Sequence, residues 1–73
     1  MITVKVKRFI NYSEQLISSV RIEAGSNVMN LIETIGLPLD EIGSLSINSS
    51  QAMLDQQIED GDSVEIIPPI GGG

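Results

Sequence analysis

Helical periodicity occurs in one stretch of this chain, and that restricts the fold more than any other feature. Val28, Leu31, Ile32 and Ile35 recur at i, i+3, i+4 and i+7, the stripe of an amphipathic helix, with Asn27, Asn30, Glu33 and Thr34 on its wet side. Ser26 stands where an N-cap belongs, after a Glu23-Ala24-Gly25 turn, and Gly36 followed by Pro38 closes the helix. The apolar residues outside this helix follow a different period.

They alternate. Ile2, Val4 and Val6 oppose Thr3, Lys5 and Lys7, the β-branched pattern of a strand with one buried face. The same parity puts Arg8 inward and Phe9 outward, so that strand either ends near Phe9 or carries a bulge. Asn11-Tyr12-Ser13-Glu14 breaks the pattern. Leu16, Val20 and Ile22 then form the inward set of a second strand over residues 15–22, close enough to the first for an antiparallel hairpin. After the helix, residues 39–44 read as irregular, and Leu45 and Ile47 mark a short third strand. Asn48-Ser49-Ser50-Gln51 is turn chemistry, with a brief edge strand expected over Ala52 to Leu54. Asp60-Gly61-Asp62 makes a second tight turn. In the last strand, Ser63 to Ile67, Val64 and Ile66 point inward and Glu65 and Ile67 outward. The first and last strands read as central neighbours. One helix across a four- or five-stranded sheet is an α+β fold, with residues 1–67 as its domain and residues 68–73 as a tail.

Composition decides what such a domain can do. At 73 residues without cysteine the core is thin, and aliphatic packing alone must hold it. Four basic residues against ten acidic ones give a net charge of −6, a surface that repels a phosphate backbone and an anionic membrane alike. With one Phe, one Tyr and no Trp, platforms for stacking bases are nearly absent. No stretch approaches the roughly 20 apolar residues of a membrane span, and MITVKVKRFI lacks a signal peptide's apolar core. The expectation is a cytoplasmic protein that binds neither nucleic acid nor membrane.

Catalytic side chains are scarce. Without histidine or cysteine the chain lacks the usual base, the thiol nucleophile and the common zinc ligands, and no serine has an imidazole to activate it. No glycine-rich loop opens a helix. The acids of Glu59-Asp60-Gly61-Asp62 do not have the alternation or closing bidentate Glu of a calcium loop, so they read as a solvated turn with no metal. An enzyme working alone is not expected, and no cofactor is expected to be bound stably.

The chemistry therefore falls to Gly71-Gly72-Gly73. At about 7% average glycine usage, three in succession are rare by chance. Pro68-Pro69 before them fixes an extended path away from the sheet. Fully extended, residues 68–73 span about 20 Å. A stiff stem followed by residues without Cβ atoms suits entry into a narrow active site, where the carboxylate of Gly73 can approach a nucleotide.

These residues resemble the ubiquitin-like sulfur-carrier family of the β-grasp fold, which includes the small subunit of molybdopterin synthase (MoaD) and the thiamin-pathway carrier (ThiS). Val4-Lys5-Val6-Lys7-Arg8-Phe9-Ile10 is similar to the opening strand of MoaD-type members. Ile58-Glu59-Asp60-Gly61-Asp62-Ser63-Val64 is similar to the turn before their last strand, and Ile66-Ile67-Pro68-Pro69-Ile70-Gly71-Gly72-Gly73 to their ending. The chain departs from the pattern in having aliphatic residues before the prolines, Gly71 before the diglycine, and Arg8 where an apolar residue is usual.

The resemblance implies a mixed four- to five-stranded sheet with one helix across it, and a carrier whose Gly73 is adenylated by an ATP- and Mg²⁺-using activating enzyme. The adenylate is then converted to a thiocarboxylate that gives its sulfur to a large molybdopterin synthase subunit. Thiazole synthesis, another sulfur-transfer pathway, or conjugation to proteins are the alternatives. Phe9, Ile67, Pro68, Pro69 and Ile70 are the expected partner-binding residues around the tail's exit, with Gly71 and Gly72 as its reach. Glu65, Asp60 and Asp62 are expected near that exit, where they could meet a basic rim.

Overall fold

The structure is a computed structural model that describes residues 1–11 and 14–69. Expectations placed on Tyr12, Ser13 and residues 70–73, and on the Leu16 side chain, lie outside the described residues. The elements are β1 (Ile2–Asn11), β2 (Glu14–Ile22), α1 (Val28–Ile35), a 3₁₀ turn (Leu39–Glu41), β3 (Ser44–Ile47), β4 (Ser50–Gln51) and β5 (Ser63–Ile67). The expected α+β plan is present, with one helix and a five-stranded sheet ordered β2-β1-β5-β3-β4.

The sheet is mixed. β1 pairs antiparallel with β2, from Ile2 opposite Ile22 to Asn11 opposite Glu14. On its other side β1 runs parallel to β5, with Val6 opposite Val64 and Arg8 opposite Ile66. The expected central pair is therefore correct. The pairing stays regular through Arg8 and Phe9, so Arg8 keeps the parity of Ile66 opposite it, and the register shifts only beyond, between Phe9 and Asn11.

One face of this sheet carries the core. Val4, Val6, Ile22, Leu45, Ile47, Val64 and Ile66 are buried with Val28, Leu31 and Ile32 from the helix. These are the positions that alternation and helical spacing assign inward, with Ile2, Val20 and Ile35 packed at the margin. Among the described residues no polar or charged residue is buried, and no helix is long and apolar enough to cross a membrane.

The helix starts one residue later than the sequence suggests. Asn27, not Ser26, is the N-cap. Its side chain accepts from the Asn30 N–H at 2.8 Å, while the Asn30 side chain accepts from the Asn27 N–H at 3.0 Å. Two Asn residues thus form the reciprocal box usually built from Ser or Thr with Glu or Gln. The next two orphan donors go to the loop before β5: Val28 N–H to the Gln56 carbonyl at 3.0 Å and Met29 N–H to that of Leu54 at 2.9 Å. Ser26 serves through its backbone, its carbonyl accepting from Ile58 N–H at 2.9 Å. Gly36 ends the helix at φ 75°, and the Gly36 and Leu37 amides return to Glu33 and Ile32 as in a Schellman motif.

Two further readings need correction. The 39–44 stretch is a 3₁₀ turn followed by the start of β3 at Ser44. The edge strand is Ser50–Gln51 rather than Ala52 to Leu54. Asn48 and Ser49 both take positive φ, 52° and 71°. That makes a two-residue hairpin, which starts the return strand at once.

Asn27→Ala should lower unfolding free energy by about 1 kcal/mol and Ser26→Ala by well under half of that. Urea denaturation followed by circular dichroism distinguishes them, and equal losses would restore Ser26 as the cap.

Candidate functional site

β5 delivers the chain to Pro68-Pro69, and its position at the centre of the sheet determines where that stem emerges. The β5 ladder closes with Ser44 opposite Ile67. One step further, Gly43 N–H donates to the Ile67 carbonyl at 2.7 Å. Among the described residues no rung follows, and neither proline has an N–H to donate to one.

On the helix side of this exit a groove of about 270 Å³ is lined by Arg8, Phe9, Leu37, Ile66, Pro68 and Pro69, with Asp40 and Glu41 also at its wall. Phe9 and Pro68 are half-buried and Pro69 is exposed. Three of the expected partner-binding residues, Phe9, Pro68 and Pro69, therefore meet at one place. Ile67 follows the outward parity of β5, is 37% exposed, and does not line this groove. Ile70 and the glycines 71–73 lie outside the described residues.

The acids divide. Glu65 faces outward from the middle of β5 and accepts from the Ser46 hydroxyl at 2.7 Å. Asp60 and Asp62 are not near the exit: they precede β5, whose two ends stand about 13 Å apart. Their carboxylates hold backbone. Asp60 Oδ1 accepts from Thr3 N–H at 2.8 Å, and Asp62 Oδ2 from Glu59 N–H at 2.9 Å. Asp62 Oδ1 accepts from the Asn48 side-chain amide at 2.9 Å, and Asn48 Oδ1 in turn accepts from Ser63 N–H at 3.0 Å. The Asp-Gly-Asp turn is thus a clamp joining β1, the β3–β4 hairpin and β5. Among the described residues no group of acids is arranged to hold a metal ion.

A second groove, of about 650 Å³, was not anticipated from the sequence. Leu39, Ile42, Leu45, Ala52, Met53 and Leu54 line it, and Gly43 joins it to the stem. Leu39, Met53 and Leu54 are 50%, 70% and 40% exposed, so much of the domain's exposed aliphatic surface gathers here. The signal was present as apolar residues in stretches of no clear period, but only the fold brings residues 39–45 beside residues 51–55.

A helix across a five-stranded mixed sheet, with a proline stem leaving the central strand, defines a small ubiquitin-like β-grasp protein. The family model described as Mut7-C ubiquitin matches residues 2–71, and the chain belongs to that family. No curated protein sequence matches it. Among solved structures, it is similar to a putative molybdopterin converting factor, subunit 1, from Pyrococcus furiosus, at 22% identity and a TM-score of 0.75, covering 96% of this chain and 100% of that one. It is also similar to SAMP1 from Haloferax volcanii, at 19% identity and a TM-score of 0.75, covering 97% and 99%. The Haloferax volcanii HVO 2177 protein follows at 15% identity and a TM-score of 0.71, covering 99% and 87%. At these identities the likeness establishes the fold, in agreement with the β-grasp expectation.

Asp62→Ala removes two hydrogen bonds to a carboxylate and should cost about 2–3 kcal/mol. The Ser63 hydroxyl is buried with no hydrogen-bond partner among the described residues, so Ser63→Ala should be neutral or slightly stabilising. Paired urea midpoints check both; equal losses would contradict the clamp.

Proposed function

We propose that this protein is a sulfur carrier whose Gly73 carboxylate is activated and loaded by partner enzymes, with molybdopterin synthesis as its first candidate pathway. The observation that carries the reading is the continuity of β5 with the Pro68-Pro69 stem, followed in sequence by Gly71-Gly72-Gly73. It is supported by the ubiquitin-like fold and by the carboxylates of Asp60 and Asp62, which are occupied in structural bonds.

In this scheme a carboxylate oxygen of Gly73 attacks the α-phosphorus of ATP, and pyrophosphate leaves with the electrons of the broken P–O bond. Hydrosulfide, or a donor persulfide whose S–S bond a second thiol then reduces, attacks the acyl carbon and expels AMP. The product is a C-terminal thiocarboxylate, whose sulfur passes to the acceptor enzyme. Mg²⁺, base and stabilisation of the developing charge come from the activating partner. This chain contributes reach and clearance: the prolines extend the stem, and glycines present no Cβ to the nucleotide. Phe9, Ile67, Pro68, Pro69 and Ile70 supply the apolar contact around the exit. The carrier is not itself an enzyme, and it works in the cytoplasm.

The full chain, co-expressed with a sulfur-carrier activating enzyme and a cysteine desulfurase, should show by intact mass one oxygen replaced by sulfur at Gly73. Absence of both that change and ATP–pyrophosphate exchange overturns the reading. Ladders of higher-mass adducts that vanish on deleting Gly72-Gly73 would identify a protein modifier instead.

A further inference from the structure

Gly43 is exposed, between half-buried Ile42 and exposed Ser44, and by burial alone it should accept any small residue. Its surroundings forbid this. A Cβ built on Gly43 would stand 2.6 Å from the Pro68 carbonyl oxygen, 2.6 Å from Pro69 Cα and 2.7 Å from the Pro68 carbonyl carbon. All three are backbone atoms, so no rotamer change can make room. Glycine is needed here for space: Gly43 is not among the residues of positive φ, unlike Gly25, Gly36 and Gly61, around which a Cβ meets nothing within 4 Å.

The contact falls where the sheet can no longer hold the chain. Gly43 N–H donates to the Ile67 carbonyl at 2.7 Å, the last backbone bond before two residues that have no N–H to give. Gly43 itself is held from behind, because the 3₁₀ turn closes with Glu41 N–H on the Pro38 carbonyl at 3.1 Å and Ile42 N–H on that of Leu39 at 3.1 Å. The stem thus lies against a braced backbone surface, and it also lines a groove with Phe9 and Arg8.

We infer that Gly43 is a positioning residue for the tail: its bare Cα is the surface against which the Pro68-Pro69 stem is aimed. A side chain at 43 turns the stem aside while leaving the helix, the β1–β2 hairpin and, of the docking residues, Phe9 on β1 in place. This rests on the carrier reading for its consequence, but the contact itself is a property of the fold.

Two measurements on the full-length chain test it. In ATP–pyrophosphate exchange with the activating enzyme, Gly43→Ala should lower kcat on the order of tenfold to a hundredfold. The KM for the carrier should change less than kcat, since Phe9 and the folded domain keep their places; simple loss of folded protein would raise the apparent KM and leave kcat unchanged. Equal kcat for Gly43→Ala and wild type overturns the inference.

The second measurement needs no partner. Pro69→Gly frees the stem to yield, so Gly43→Ala should lower the urea midpoint less in a Pro69→Gly background than in the wild type. If Gly43→Ala alone does not fold, Gly43→Ala/Pro69→Gly should recover a folded chain. An equal midpoint loss in both backgrounds overturns the inference. A wild-type chain that is never activated instead overturns the carrier reading, while the midpoint comparison still decides the contact.

Discussion

The parallel pairing of β1 with β5 is the constraint on which the rest depends. Parallel neighbours cannot be joined by a tight turn, so the chain must leave the sheet, cross it and return. The crossing element is α1, and its stripe is what covers Val4, Val6, Val64 and Ile66. Because the two strands run the same way, the start of β5 lies beside Thr3 and Lys5 while its end lies beside Arg8 and Phe9. One end of the pair is therefore a clamp and the other an exit.

The clamp is built from the groups that a sequence reading would leave to solvent. Asp60, Asp62 and Asn48 spend their side chains on the backbones of Thr3, Glu59 and Ser63 and on one another. That holds β5 in register with β1 and with the β3–β4 hairpin through bonds independent of the core. At the exit the chain has no such bonds to make, since proline carries no donor, and direction comes from packing instead. Phe9, Arg8 and Gly43 take that role in space, though they are far apart in sequence.

Much of the core was legible because it follows period. Val28, Leu31 and Ile32 repeat as a helix does, and Val4, Val6, Val64 and Ile66 as half-buried strands do, and all of these are buried; Leu37, Ala52 and Ile58, buried too, lie in stretches without a period. Boundaries were less legible, because several polar residues can serve one end. Ser26 is a good cap, yet Asn27 wins by pairing with Asn30, a reciprocity that Ser26 has no partner to match. The site was legible as composition, in prolines and glycines, but not as geometry. Asp60 and Asp62 are close to the tail in sequence and a strand's length from its exit in space. Gly43 carried no signal, since an exposed glycine before a short strand is ordinary until the stem is seen against it.

On the carrier reading function is a matter of delivery: the fold sets where the Pro68-Pro69 stem leaves the sheet, and the chemistry belongs to whatever receives the tail. The most direct measurement compares the intact protein with a synthetic peptide of residues 64–73 as substrates for pyrophosphate exchange by the same activating enzyme. The account predicts that the peptide falls short of the intact chain by on the order of a hundredfold or more in kcat/KM, because it has Ile67, Pro68, Pro69, Ile70 and the glycines but neither Phe9 nor the Gly43 surface that braces the stem. Equal rates would mean that the segment suffices by itself and that the fold contributes nothing to its presentation.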